Sequence, residues 1–338
     1  MKKATLPLSR ARQILAAAAK TRTLVVGDAM LDHFVWGHVG RISPEAPVPV
    51  VDFARESFIP GGAANVARNL AALNVSTELF GVVGRDAAAA QLKELLREQK
   101  IGCEGLLAHD GRATSVKMRI VAHQQQVVRL DRESRAELDA RATAKLLAAL
   151  EGSLRRSAAV IVGDYGKGAI TQPLLEEIKA RCHRHGVWLS MDPKPVHELN
   201  LKGLSLITPN RKEAFELANL SDDTRNMNPL ADRNLMMAVE RLLEELRPVL
   251  LLVTLGELGM LLCRSGEKPF HIPTQAQEVF DVSGAGDTVI ATFTLAIAGG
   301  ASPLEAAIIS NHAAGIVVGK VGTAVATTEE LLASFGKL

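Results

Sequence analysis

One pattern constrains this chain more than any other: a short Val-, Leu- and Ile-rich run that stops abruptly at a glycine or a polar group. Thr23-Leu24-Val25-Val26-Gly27-Asp28 is the first, and Leu79 to Gly84, Ala158 to Asp164, Val187 to Asp192, Leu204 to Thr208 and Val249 to Thr254 repeat it. Runs of this length with consecutive apolar residues are strands buried on both faces, the environment of a parallel sheet. Around them lie helix-length segments, among them Ser9 to Lys20, Asp86 to Gln99, Ala136 to Leu154, Ile170 to His185 and Pro303 to Val318. The alternation predicts an α/β fold: a doubly wound, mostly parallel sheet flanked by helices, as a single domain over residues 1–338. In such a sheet ligands gather outside the carboxyl ends of the strands, so the polar residues that end the runs are the first site candidates.

Two stretches depart from this plan. Phe34 to Phe53 contains Pro44, Pro47 and Pro49 beside alternating Val residues, which excludes a helix and suits edge strands. Thr114 to Ala122 and Gln124 to Arg129 alternate in polarity around a turn near His123, the pattern of a hairpin. Together they predict a small β-sheet lid formed by residues 33–58 and 112–130. Lys117, Arg119 and Arg129 recur at even spacing and share one face in a regular strand. They are either charges that protect a sheet edge or a clamp for a phosphate on the substrate. Ile42, Val48, Val50, Ile120 and Val128 give the lid more apolar surface than a small sheet buries alone, which predicts a homodimer whose two lids cover each other.

The chemistry concentrates in Asp281-Val282-Ser283-Gly284-Ala285-Gly286-Asp287-Thr288, followed by the apolar run Val289 to Ala298. With almost no side chain at Gly284, Ala285 and Gly286, backbone N–H groups can crowd around an anion at a helix N-terminus. Asp287 on the same turn can accept a proton from a hydroxyl, or it can simply cap the helix. Near the other end, Gly61-Gly62-Ala63-Ala64-Asn65-Val66-Ala67 reads as a tight turn opening a helix, with Asn65 able to donate and accept to a polyol. Asp28 is a polyol ligand or a cap, and Arg85 either approaches the site or faces solvent beside Asp86. Lys167 and Lys194 suit phosphate oxygens or are surface lysines. Asn210 and Glu213 open a helix with capping-box spacing.

The two glycine motifs, in this order, resemble the signatures of the ribokinase (PfkB-type) superfamily of sugar and nucleoside kinases, with Asn74 and Thr292 standing where smaller residues are common. Gly27 to Asp32 followed by Arg41-Ile42-Ser43-Pro44-Glu45-Ala46-Pro47-Val48-Pro49-Val50 looks like the bacterial heptose-7-phosphate kinases, as a single kinase domain without a nucleotidyltransferase domain. The resemblance implies ATP as donor and Mg²⁺ as cofactor. It makes Asp28, Gly61, Gly62 and Asn65 sugar contacts. It gives Asn210 and Glu213 the metal-bound water and nucleotide phosphate. Thr254, Gly256 and Gly259 match its nucleotide-binding Thr-x-Gly-x-x-Gly, and the region up to Asn311 frames the adenine. The implied reaction converts D-glycero-D-manno-heptose 7-phosphate to the 1,7-bisphosphate, on the way to the ADP-heptose of lipopolysaccharide. Rival readings are a kinase of another sugar, a hexose phosphate or a nucleoside, and a binding protein without catalysis.

Composition agrees with a small-molecule enzyme. Apolar residues make up 47% of the chain and the net charge is only +2, so nothing global favours nucleic acid or an anionic membrane as partner. Cys103, Cys182 and Cys263 lack the spacing of a zinc site or disulfide framework, and Ile14 to Ala19 is too short for a signal segment; a cytoplasmic location is expected.

Overall fold

The computed structural model describes residues 5–123, 125–195, 199–276 and 278–336; Gln124, within the expected hairpin, lies outside them. In chain order the elements are α1 (Leu8–Ala18), β1 (Arg22–Gly27), β2 (Ala29–Ile42), β3 (Pro49–Gly62), α2 (Ala63–Ala72), β4 (Ser76–Val83), α3 (Ala87–Glu98), β5 (Leu106–Ala108), β6 (Ser115–Ala122), β7 (Gln125–Arg132), α4 (Ala140–Leu154), β8 (Ala159–Gly163), α5 (Gln172–His185), β9 (Trp188–Asp192), β10 (Leu206–Ile207), α6 (Arg211–Leu217), α7 (Arg233–Leu246), β11 (Leu250–Thr254), β12 (Met260–Cys263), β13 (Phe270–Ile272), α8 (Ala285–Ala298), α9 (Pro303–Val318) and α10 (Thr328–Phe335).

Nine strands form the main sheet in the order β13-β12-β11-β10-β9-β8-β1-β4-β5. Every pairing from β11 to β5 is parallel, and β12 and β13 add an antiparallel edge. Alternate residues of a strand serve opposite faces. Val25 packs into a core with α1, α2, α3, α8, α9 and α10, whereas Leu24 and Val26 pack into a second core with α4, α5, α6 and α7. That two-sided burial is why the strands read as continuous apolar runs rather than alternating ones. Because the central strands run in one direction, Gly27, Gly163, Asp192, Ile207 and Thr254 all end at the same edge.

The second sheet has four strands, β3-β2-β6-β7. It begins earlier than its sequence suggests, because β2 continues from β1 after the single residue Asp28 and β3 runs to Gly62, directly before α2. The β2–β3 half of the lid is therefore continuous with β1 at one end and α2 at the other, whereas β6–β7 joins through residues 109–114 and 133–139. Asn74 occupies the left-handed region at φ 63° just after α2, a position glycine fills without cost and asparagine tolerates better than most residues. Thr292 is fully buried in α8, and the structure gives no physical account of the preference for a hydroxyl there.

Candidate active site

At the shared edge of the strands lies a cavity of about 300 Å³, with Asp287 at its floor and Lys117 and Arg119 of β6 on the lid side. Asp287 sits in the first turn of α8, which starts at Ala285, one turn earlier than the apolar run alone indicates. Its two carboxylate oxygens are both engaged: Asn65 Nδ2 donates to Oδ2 at 2.7 Å and the Tyr165 hydroxyl to Oδ1 at 2.5 Å. Burial raises the Asp287 carboxyl above its ordinary value, and the bonds from Asn65 and Tyr165 oppose that rise. Burial and then the Asp287 charge push the Tyr165 phenol well up, so it stays a proton donor.

The glycines around this carboxylate do separate jobs. Gly284 adopts φ 80° and a Cβ there would lie 2.7 Å from Asn65 Nδ2, so both the turn and the close approach of Asn65 require glycine. Above Gly286 a Cβ would meet nothing within 4 Å, which leaves open space over the helix N-terminus. The Ala285 N–H, expected among the anion donors, is spent inside the turn on Val282 O at 3.2 Å. The remaining first-turn amides, at Gly286 and Asp287, have no carbonyl one helical turn back and are the donors available to an anion.

One wall of the cavity comes from the strand ends. Asp192 at the end of β9, Lys194 after it, and Asn210 and Glu213 of α6 all line it. Asn210 and Glu213 form a reciprocal capping box, Asn210 Oδ1 accepting from Glu213 N at 3.0 Å and Glu213 Oε2 from Asn210 N at 2.9 Å. The other Glu213 oxygen pairs with Lys194. Burial, then the charge of Glu213, pushes the Asp192 carboxyl up to about 8. The Glu213 carboxylate, the Asp192 carboxyl and the Asn210 amide put oxygen donors on this wall beside the Lys194 ammonium, and oxygen is the donor type that a hard cation such as Mg²⁺ takes. Among the described residues no three acidic, histidine or cysteine groups converge as ligands.

On the lid side, Arg119 Nη1 is 2.6 Å from Asp32 Oδ1, and Asp32 lies opposite Lys117 in the β2–β6 register. Lys117 has no ion-pair partner among the described residues, and burial lowers its pKa against the pull of Asp32. Beyond Gly286 and Thr254 a second, more apolar cavity of about 470 Å³ continues, lined by Gly256, Gly259, Val289 and Asn311 among others. Asn311 donates to Pro273 O at 2.7 Å, which holds the loop that closes this slot.

Several expectations need correction. Asp28 does not line the cavity: its oxygens accept from the backbone of Tyr165, Lys167 and Ala169 at 2.9, 3.1 and 2.9 Å, so it ties the loop after β8 beneath the site. On the lid side the carboxylate that lines the cavity is Asp32. Arg85 is exposed and pairs with Asp110 at 2.6 Å, away from the cavity, because the strand end it follows sits beyond β1. Lys167 pairs with Glu133 at 2.5 Å, and Arg129 with Asp131 at 2.9 Å. Gly62 lines the cavity, whereas Gly61 makes room for Asp32, whose Oδ2 would be 2.3 Å from a Cβ there. Tyr165 and Asp32 were not among the sequence candidates. A lone tyrosine at a glycine-rich strand end, and an acid interrupting Ala29-Met30-Leu31, are the signals that mark them.

A floor carboxylate at a helix N-terminus, two lid-side cations and an adjoining apolar slot lie together at the strand ends, and the family model for pfkB family carbohydrate kinases matches residues 20–330. The chain belongs to the pfkB family of carbohydrate kinases. It is accordingly an ATP-dependent sugar kinase. It is 42% identical over 313 residues to the bifunctional protein HldE of Desulfatibacillum aliphaticivorans, covering 92% of this chain and 62% of that protein. Against the bifunctional protein HldE of Geobacter sulfurreducens it is 41% identical over 323 residues, covering 96% and 64%. The chain thus spans a little under two thirds of the length of these relatives. The fold matches Arabidopsis thaliana ribokinase complexed with ribose and ATP, with a TM-score of 0.74 at 20% identity over 93% of this chain and 98% of that one. It also matches Escherichia coli phosphofructokinase-2 in complex with potassium, with a TM-score of 0.75 at 19% identity over 94% and 99%. Among the described residues, no helix is long and apolar enough to cross a membrane.

Proposed function

We propose that this kinase transfers the γ-phosphoryl group of ATP to O1 of D-glycero-D-manno-heptose 7-phosphate, giving the 1,7-bisphosphate and ADP on the route to ADP-heptose. The observation that carries the reading is the position of Asp287 between the lid cations Lys117 and Arg119 and the apolar slot beyond Gly286. In this reading the slot takes the adenine, and the triphosphate reaches over Gly286 towards the floor. The sugar lies under the lid with its hydroxyls on Asp32 and its far phosphate on Lys117. Asp287 accepts the proton of the O1 hydroxyl as that oxygen forms its bond to the γ-phosphorus. The bond from that phosphorus to the β–γ bridging oxygen breaks, and ADP leaves with the electron pair. Gly286 and Asp287 amides stabilise charge on the phosphoryl group in flight.

Mg²⁺, held through water by Glu213 and Asn210, supplies charge neutralisation for the phosphates when bound. Lys194 lies on the same wall and supplies a fixed positive charge to the nucleotide phosphates. The heptose assignment is supported by the Gly27 to Asp32 and Arg41 to Val50 sequence and by the two HldE relatives.

The chain works as one kinase domain whose four-stranded sheet is a lid. Ile42, Val48, Phe53, Val128 and Leu130 leave the lid's outer surface apolar and exposed, which supports a homodimer joined through the lids. An ADP-release assay over heptose, hexose and pentose phosphates and nucleosides tests the substrate. The highest kcat/KM is expected for the heptose 7-phosphate, and preference for a hexose phosphate or nucleoside would overturn the assignment.

A further inference from the structure

Asn65 is fully buried on the first turn of α2, and its side-chain amide lies between two groups of opposite character. On one side Asp287 Oδ2 accepts from Nδ2 at 2.7 Å. On the other, Arg68 Nη1 donates to Oδ1 at 3.0 Å. A guanidinium has donors only and an ionised carboxylate has acceptors only, so the pair together permits a single orientation of the amide between them. Arg68 lies three positions along the helix, on the face it shares with Asn65. Its own position is fixed, since Nη1 also donates to Thr323 O at 3.1 Å and Nε to Gln99 Oε1 at 3.2 Å. Arg68 does not line the cavity and so meets no substrate.

We infer that Arg68 is a positioning residue for Asp287: by claiming Asn65 Oδ1 it obliges Nδ2 to face the carboxylate. The inference rests on the reading of Asp287 as the base. Without Arg68 nothing demands an acceptor on the far side of Asn65, and the amide is free to turn. With Oδ1 facing Asp287 the carboxylate loses a donor and meets a lone pair, whereas the protonated acid gains an acceptor. Turning the amide therefore favours the form of Asp287 that has no capacity to take the substrate's proton.

The charged and titratable groups that bear on Asp287 are Tyr165 from the loop after β8, Asp32 from β2, Asp192 at the end of β9 and Lys194 after it. Two of these four are carboxyls and one, Lys194, is a cation. Arg68, whose guanidinium senses both Asp32 and Asp287, adds a positive charge to this set.

The test is the pH dependence of kcat in wild type, Arg68→Met and Arg68→Lys, with Asp287→Asn alongside. Arg68→Met should move the acid limb of kcat to higher pH by about one unit and lower turnover about tenfold on that limb. KM for both substrates should stay within about twofold, since no contact to either is removed. Arg68→Lys, still a pure donor, should restore most of the wild-type profile. An acid limb unmoved in Arg68→Met, with only thermal stability lost, would show a structural pin and overturn the inference. Should the methionine variant fail to accumulate, Arg68→Gln, which no longer dictates the amide, carries the same expectation and the same contradiction. If Asp287→Asn itself keeps near-normal turnover, the base assignment fails first. If that variant is inactive while the Arg68 profiles are unshifted, only the role of Arg68 fails.

Discussion

The floor and the lid wall of the cavity are built on opposite principles. At the floor, both oxygens of Asp287 are satisfied from within the protein, and its partner Asn65 is held by Arg68. On the lid, Arg119 is satisfied by Asp32, but Lys117 has no ion pair among the described residues. Internal partners fix a group that performs the same step whatever sugar is bound. A cation left unpaired in a half-buried position has a desolvation cost that only an incoming anion offsets. In the proposed function the contrast separates a chemical half of the site from a recognition half, and each half is expected to fail differently when broken.

The largest effect belongs to the floor. Asp287→Asn keeps the shape and removes the acceptor charge, so kcat should fall by about two orders of magnitude or more while the dissociation constant for ATP stays near wild type. Rapid-quench measurement of phosphoryl transfer together with calorimetric ATP binding checks both halves of that statement, and near-normal turnover removes the contrast altogether. Arg119→Ala comes next. It frees Asp32 to wander, so KM should rise by about one decade for the sugar with or without its phosphate, whereas a loss confined to the phosphorylated sugar would make Arg119 a phosphate contact instead.

The smallest effect concerns the wall. Asp192, with a carboxyl raised to about 8 by burial and Glu213, holds in the folded state a proton that the unfolded chain has already released above its ordinary value. Stability from this group is therefore greatest at low pH and falls as pH rises towards 8. In metal-free, nucleotide-free buffer, Asp192→Asn should raise Tm relative to wild type at pH 8.5 by a few degrees and by much less at pH 5. An equal difference at both values would mean that the carboxyl is not protonated in the fold.

How much of this was legible in the sequence follows from which rule governs each residue. The parallel sheet was legible because burial on both faces leaves nothing to disguise the runs. The antiparallel edge β12–β13 and helix α7 were not read, being short or lying outside the repeating pattern. The Asp281 to Thr288 segment carries its own local geometry, so the turn, the helix start and the carboxylate come together without help from the rest of the chain. Lys117 and Arg119 share the cavity side because β6 stays regular until the irregularity between Ile120 and Val121.

Asp28 and Asp32 show the limit. Both follow the same strand, and which of them faces a ligand depends on whether the chain turns after Gly27 or runs on into the lid. It runs on, and the loop from Tyr165 to Ala169, remote in sequence, then takes the Asp28 carboxylate for its own amides. Arg68 is hidden for a similar reason, since its partners Asn65, Gln99 and Thr323 come together only in the folded chain.

The division of the site is tested most directly by measuring kcat/KM of wild type and Lys117→Ala on heptose 7-phosphate and on the same heptose without its phosphate. If Lys117 is reserved for that phosphate, the substitution removes a charge-assisted contact of about 1.5–3 kcal/mol and costs roughly one to two decades on the phosphorylated sugar. It should leave the unphosphorylated sugar almost unchanged. An equal loss on both sugars, or no loss on either, would contradict the assignment of the lid wall to phosphate recognition.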